Sequence, residues 1–449
     1  MHPLNILLVF MIIIVHSKSQ IPVLIPHLPS LPPLPTIPRL SDLAFLQNVD
    51  YDITAIFQKV QTFYKSLPST VKEDALLAVP ELVRKYGYPC ESHSVTSSDG
   101  YILTLHRIPS SKNHQRDKLK PAVFVQHGIL SSSADWLIPG PGKALGYLLS
   151  DAGFDVWLGN VRGNRYSRKH VWLNTKEPKF WDFSFHEIAV YDLPAMIDYI
   201  LNQTNQENLT YIGHSQGTTV FYVLCSEKPE YNDKINMQLS LSPVGYMNHL
   251  LSPLMHVLAR GEVPLGILAS LIGMNEFLPN TKFLAVASHY LCSDISVTQI
   301  LCSNSYFAMC GFNQRQMNST LLPVIMAHNP AGASTKQFLH YAQEIKSGKF
   351  RQYDYGSVEN RQKYNRSVPP DYKLENIVAP TYLYYSRNDW LSSEIDVNRL
   401  AARLGNLRGK FLVSDPKLNH VDYLYSINAP EVLYKPMLML MKSSGLVDL

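Results

Sequence analysis

Long apolar runs are scarce in this 449-residue chain, and no run approaches the eighteen or so apolar residues that a membrane-crossing helix needs. The longest, residues 6–15, is ten residues long and precedes the small and polar His16-Ser17-Lys18-Ser19-Gln20. That pattern predicts a signal peptide over residues 1–19, although Lys and Arg are missing ahead of the apolar core. A like-charge block is also missing: 40 basic and 36 acidic residues leave a formal net charge of only +4, so a nucleic-acid partner is not indicated. No Cys/His cluster has zinc spacing and no Gly-rich phosphate loop occurs, so no metal and no cofactor are expected. Cysteines number five, an odd count that in a secreted chain leaves at least one thiol free or paired between molecules. With 46% hydrophobic residues the chain can bury a large core, enough for one sizeable catalytic unit.

The most informative segment present is Gly213-His214-Ser215-Gln216-Gly217. It follows an apolar strand candidate, residues 209–212, and precedes a helix-capable run, residues 218–225. A serine between two glycines at a strand-to-helix turn is the arrangement that exposes a hydroxyl nucleophile. Such a hydroxyl is weak at its own pKa, so a base and a set of oxyanion-binding amides must stand nearby.

Candidates for those partners follow in the order Ser, Asp, His. Residues 379–385 read as a buried strand and Ser386-Arg387-Asn388-Asp389 as the polar turn after it, which places Asp389 where a carboxylate can orient an imidazole. Asp396, Asp415 and Asp422 compete, but only Asp389 directly follows a strong strand. Residues 409–413 read as a short strand, and His420 comes in the loop after it. His214 sits in the turn itself and cannot fold back onto its neighbour's Oγ. His127 belongs to a different feature: residues 122–126 form an apolar strand that runs into His127-Gly128-Ile129-Leu130, an oxyanion-loop pattern. The two anion-binding N–H groups are therefore assigned to Ile129 and Gln216.

These motifs, with Lys85-Tyr86-Gly87-Tyr88-Pro89, Ser133-Ala134-Asp135-Trp136, Gly159-Asn160-Val161-Arg162-Gly163-Asn164 and His328-Asn329-Pro330-Ala331-Gly332, make the chain resemble the acid lipase family of α/β-hydrolases from about Pro80 onward. The resemblance implies an α/β-hydrolase fold with a mostly parallel central sheet and a large helical cap. It puts Ser215, Asp389 and His420 on the triad and Ile129 and Gln216 on the oxyanion positions, where the family usually has Leu in place of Ile129. It further implies hydrolysis of carboxylic esters of neutral lipids, glyceride or sterol ester, at a lipid–water interface. A carboxylesterase for smaller soluble esters and a catalytically silent lipid-binding protein remain the alternatives.

The expected organisation is a Pro-rich spacer over 20–40, an N-terminal helical segment over 41–79, a catalytic core over 80–242 and 372–449, and a cap over 243–371. Seven prolines between 21 and 38 support the spacer, and helical apolar patches at 254–258 and 265–272 support the cap. Within the cap, Cys302 and Cys310 resemble the family's cap disulfide, while Cys225, on the helix after the serine, is expected to be a buried, inert thiol. Four N-x-S/T sequons, at Asn202, Asn208, Asn318 and Asn365, agree with a secretory route, and Asn208 is the one expected to be buried or unused. The expected destination is extracellular, with the lysosome as alternative; the residues say nothing of oligomeric state.

Overall fold

The computed structural model describes residues 68–112, 120–252, 255–256, 259, 276–277, 310–311, 313 and 315–445. The expected signal peptide and spacer, residues 41–67 of the expected N-terminal helical segment, and most of the first half of the expected cap lie outside the described residues.

The strands are β1 (Glu91–Thr96), β2 (Tyr101–Ile108), β3 (Ala122–Gln126), β4 (Asp155–Leu158), β5 (Lys169–His170), β6 (Leu209–His214), β7 (Ile235–Leu241), β8 (Glu276–Phe277), β9 (Ala333–Ser334), β10 (Thr381–Tyr385) and β11 (Leu407–Leu412). The main sheet runs β1-β2-β4-β3-β6-β7-β10-β11, with β5 paired to the start of β2. From β4 through β11 every neighbour is parallel, whereas β2 is antiparallel to both β1 and β4. Strands β8 and β9 form a separate antiparallel pair.

Central strands read as continuous apolar runs because both faces of the sheet are covered. Successive side chains alternate between two cores. Phe124, Trp157 and Tyr211 enter one, shared with the helices Leu193–Thr204 and Gln216–Glu227. Val123, Val125, Val156 and Ile212 enter the other, shared with Leu145–Asp151 and Lys435–Ser443. Each of these large side chains contributes about 1.5–3 kcal/mol of burial, so the sheet is the rigid platform of the molecule. Edge strand β11 is half exposed, as fits a strand with one neighbour.

The consequence for function is that every connection leaving the carboxyl ends of β3, β4, β6, β7, β10 and β11 emerges along one edge. The described part of the expected cap lies partly on that edge. Its longest helix, Thr335–Ser347, is capped by Ser334 Oγ, ends on Gly348 in the left-handed region, and docks through paired polar contacts. Gln337 Oε1 accepts from Gln216 Nε2 at 2.7 Å, Tyr341 OH donates to Thr219 at 3.1 Å, and the His340 ring stacks on Phe185 with centroids 3.9 Å apart. The helix Leu322–His328 lies instead against the second core, with Val324 and Ile325 buried there and His328 Nε2 donating to the Asp74 carbonyl.

Glu344, on the buried face of the docked helix, has two carboxylate oxygens without a hydrogen-bond partner. Burial pushes its pKa well above the ordinary carboxylate value, and the nearby Arg351 lowers it without offsetting that effect. A folded-state pKa above the unfolded one gives stability that is complete below the ordinary carboxylate range and lost as pH rises through the folded value. Glu344→Gln keeps the shape and removes the titration. Thermal melts are expected to coincide for the two proteins near pH 4, with the variant about 2–4 °C higher at pH 8.

Candidate active site

Ser215 ends β6 and caps the helix Gln216–Glu227 with φ 54° and ψ −122°, a left-handed conformation that costs a non-glycine residue about 1–3 kcal/mol. The turn is held by Ser215 N donating to Leu241 O at 3.1 Å and Tyr211 OH donating to Gly217 O at 2.7 Å. Its glycines are required by close approach. A Cβ on Gly217 would lie 2.2 Å from the Gln126 carbonyl oxygen, and one on Gly213 would lie 2.7 Å from the Gly217 carbonyl. Both obstacles are backbone and cannot swing aside. Gly217→Ala is therefore expected to cost about 3 kcal/mol or more, or to prevent folding, in a denaturant titration.

His420, in the loop after β11, reaches the serine: its Nε2 stands 2.8 Å from Ser215 Oγ. On the other side of the ring, Nδ1 is 2.9 Å from Asp389 Oδ1 and 3.2 Å from Oδ2. A carboxylate only accepts, so the proton sits on Nδ1 and Nε2 is left to accept from the serine hydroxyl. Asp389 lies in the turn after β10, fully buried, with Oδ1 accepting from the amides of Leu391 (3.0 Å) and Ser392 (2.9 Å). Burial alone would raise its pKa, but the His420 charge and the donated hydrogen bonds of His420, Ser242 and Ser392 hold it below the ordinary Asp value.

The rival residues are engaged elsewhere. Asp396 accepts from His249 Nδ1 at 2.8 Å and from its cap residue Ser393, Asp415 accepts from the Lys417 amide, and Asp422 accepts from the Asn419 amide and Asn313. Burial raises Asp422 to about 7.

Two supports were not legible in the residues. Ser242, which ends β7 in the left-handed region, donates to Asp389 Oδ2 at 2.5 Å and lies 2.7 Å from His420 Nδ1, so the imidazole proton is shared between carboxylate and hydroxyl. His214 Nε2 donates to the backbone carbonyl of His420 at 2.8 Å, tying the serine turn to the histidine loop. Burial lowers the His214 pKa to about 3, which keeps it neutral and in that role. The only signal for Ser242 is a polar residue closing an apolar strand, and for His214 there is none, because its partner is 206 positions away.

Gly128 brings the loop after β3 against the serine, since a Cβ there would lie 3.0 Å from Ser215 Cβ. His127 braces the loop: Nδ1 donates to Gly128 O at 2.7 Å, and Nε2 accepts from Val161 N and Asn164 Nδ2. Burial lowers its pKa to about 4, which preserves the acceptor on Nε2. Ile129 thus adjoins the serine within this braced loop, and Gln216 opens its helix, where the first amides have no intrahelical acceptor.

Residues 79–140 match the partial alpha/beta-hydrolase lipase region and residues 121–426 the alpha/beta hydrolase fold. Lipase 3 of Drosophila melanogaster is 44% identical over 363 residues, covering 81% of this chain and 92% of that protein. The chain belongs to the acid lipase family of α/β-hydrolases. The lysosomal acid lipase/cholesteryl ester hydrolase of Homo sapiens is 40% identical (83% and 93% covered) and the gastric triacylglycerol lipase of Rattus norvegicus 38% (82% and 92%). A solved Sulfolobus solfataricus protein described as a lipase superposes with a TM-score of 0.51 at 13% identity, over 76% of this chain and 90% of that one, and this likeness supports the fold alone.

Cys302, the expected disulfide partner of Cys310, lies outside the described residues, and Cys310 itself is buried. Its main-chain oxygen accepts from the amides of His420 and Trp390, which fixes Cys310 in the floor beside Asp389. Burial and the neighbouring Asp389 and Asp422 push the thiol well above its ordinary pKa. Cys225 is a buried free thiol, and so is Cys90, raised to about 12 chiefly by burial. Among the described residues no cluster of His, Cys, Asp and Glu could hold a metal ion, and no helix is long and apolar enough to cross a membrane. Asn202 and Asn365 are exposed and Asn318 is half-buried. Asn208 is half-buried and accepts from Asn236 Nδ2, while its sequon threonine, Thr210, is buried in β6.

Proposed function

We propose that the chain hydrolyses carboxylic esters of neutral lipids, triacylglycerols or sterol esters, through Ser215, His420 and Asp389. The observation that carries this reading is the unbroken line from Ser215 Oγ to His420 Nε2 and from His420 Nδ1 to Asp389, at 2.8 and 2.9 Å. His420 takes the hydroxyl proton as Ser215 Oγ attacks the ester carbonyl, and Asp389 stabilises the imidazolium that forms. The Ile129 and Gln216 amides receive the oxyanion. His420 then protonates the leaving alcohol, and water enters by the same route to release the fatty acid.

The lipid character of the substrate draws support from the names of the relatives, which include a cholesteryl ester hydrolase and a triacylglycerol lipase. It also draws on the docked Thr335–Ser347 helix beside the serine, since a covered site excludes water and strengthens the interactions beneath. A place in the secretory pathway, extracellular or lysosomal, is part of the same proposal. The test compares initial rates on an emulsified long-chain triacylglycerol and on a soluble short-chain ester. Faster turnover of the emulsion above its solubility limit is expected; a clear preference for the soluble ester would transfer the chain to the carboxylesterases.

A further inference from the structure

Trp172 is 86% exposed, the most exposed large apolar side chain among the described residues, and its neighbour Val171 is 45% exposed. Single exposed apolar residues are ordinary on protein surfaces, so exposure alone says little. Three further observations separate this one from the rest.

The first is that the tip is held rigidly. His170 Nε2 donates to the Asp99 carbonyl at 2.9 Å, and His170 Nδ1 accepts from the amides of Trp172 and Leu173 at 3.0 and 3.1 Å. Leu173 packs inward on the core, and the His170 ring meets Tyr101 edge-on. A braced turn therefore presents the indole to solvent, although burying it inward would have been favourable by the area rule.

The second is position. Strand β2 is antiparallel to β4 and pairs its residues 106–108 with 158–156, so its first residues project beyond the carboxyl end of β4, on the edge where Ser215 lies. Strand β5, which leads into Val171 and Trp172, pairs with those projecting residues. The surrounding segment is also where the insertion docks: Arg168 pairs with Glu276 at 2.9 Å, and Asp182 with Lys336 at 2.7 Å. Along the chain, Trp172 lies between the two anchoring residues Arg168 and Asp182.

The third is charge. Lys169, Lys176 and Lys179 are all exposed in the same stretch, which holds a single acid, Glu177, so its net charge is positive. An exposed indole in a chain stretch with three exposed lysines is the composition that settles at the boundary of an anionic lipid surface.

We infer that Trp172 and the lysines around it form an anchor that seats the mouth of the site on an anionic lipid–water interface. The inference rests on the lipase reading, which also supplies the charge: ester hydrolysis releases a fatty acid whose carboxylate stays at the interface, so the surface becomes more anionic as the reaction proceeds.

The test uses the full chain and phosphatidylcholine vesicles with and without a minor fraction of oleate. Wild type is expected to bind the oleate-bearing vesicles more tightly. Trp172→Ala is expected to weaken that binding about tenfold, and the double variant Lys169→Glu, Lys176→Glu to abolish the preference for oleate. Brominated phosphatidylcholine should quench part of the wild-type emission, and most of that part should vanish in Trp172→Phe, because Trp136, Trp157 and Trp181 are buried and Trp390 is the one other tryptophan that is partly exposed. Turnover of a soluble short-chain ester should be the same in all these proteins. Unchanged vesicle affinity in Trp172→Ala, or quenching undiminished in Trp172→Phe, would overturn the anchor. Failure of wild type to cleave any ester would overturn the lipase reading instead, and the vesicle arm would still decide where the chain binds.

Discussion

Replacing Ser215 with alanine is expected to lower the rate of ester hydrolysis by about 10⁶-fold while leaving the protein folded. The change removes only Oγ, whose partner in the structure is His420 Nε2, and it leaves the backbone contacts of the turn to Leu241 and Thr218 in place. The positive φ at this position is borne equally by serine and alanine, so unfolding curves should agree within about 1 kcal/mol. A fluorophosphonate probe should label the wild type once and the variant not at all. A variant that kept even a tenth of the wild-type rate would show that Ser215 is not the nucleophile.

Asp389→Asn is expected to reduce kcat by about 10⁴-fold with little change in KM. An asparagine retains an oxygen for the Leu391 and Ser392 amides, so the turn keeps its shape. The amide nitrogen, however, presents a donor to His420 Nδ1, which drives the imidazole into the tautomer with its proton on Nε2, where it cannot accept from Ser215. Stability gives a second readout. Because the native carboxylate is held below its ordinary pKa, its contribution is present above the usual Asp range and lost as pH falls through the depressed folded value. Wild type should therefore melt higher than the variant at neutral pH, and the gap should close in strong acid. A variant with wild-type kcat at neutral pH would remove Asp389 from the mechanism and return attention to Asp422, which lies two residues from His420 and is raised to about 7.

The parts of the site that were legible share one property: each is announced by local chain chemistry. Gly213 and Gly217 stand where backbone passes well inside van der Waals contact of a missing Cβ, so their identity follows from sterics. Asp389 and His420 follow strands β10 and β11 because a parallel sheet delivers its loops to one edge, which turns strand order into spatial proximity. Ser242 and His214 were not legible as supports, because their roles depend on partners 147 and 206 positions away that only folding brings near. Of the expected Cys302–Cys310 pair, only Cys310 lies among the described residues, where its backbone oxygen accepts from the His420 and Trp390 amides.

Residue order by itself pointed to Ser215, Asp389, His420 and the loop at Gly128 as one candidate site, because a strained turn and buried parallel strands demand particular residues at particular spacings. Tertiary structure alone decided how the imidazole is aimed, which residues brace it, and that Trp172 is held exposed on a braced turn. Those outcomes depend on distances between segments far apart in the chain, and burial and hydrogen-bond satisfaction set those distances only once the sheet has closed around its cores.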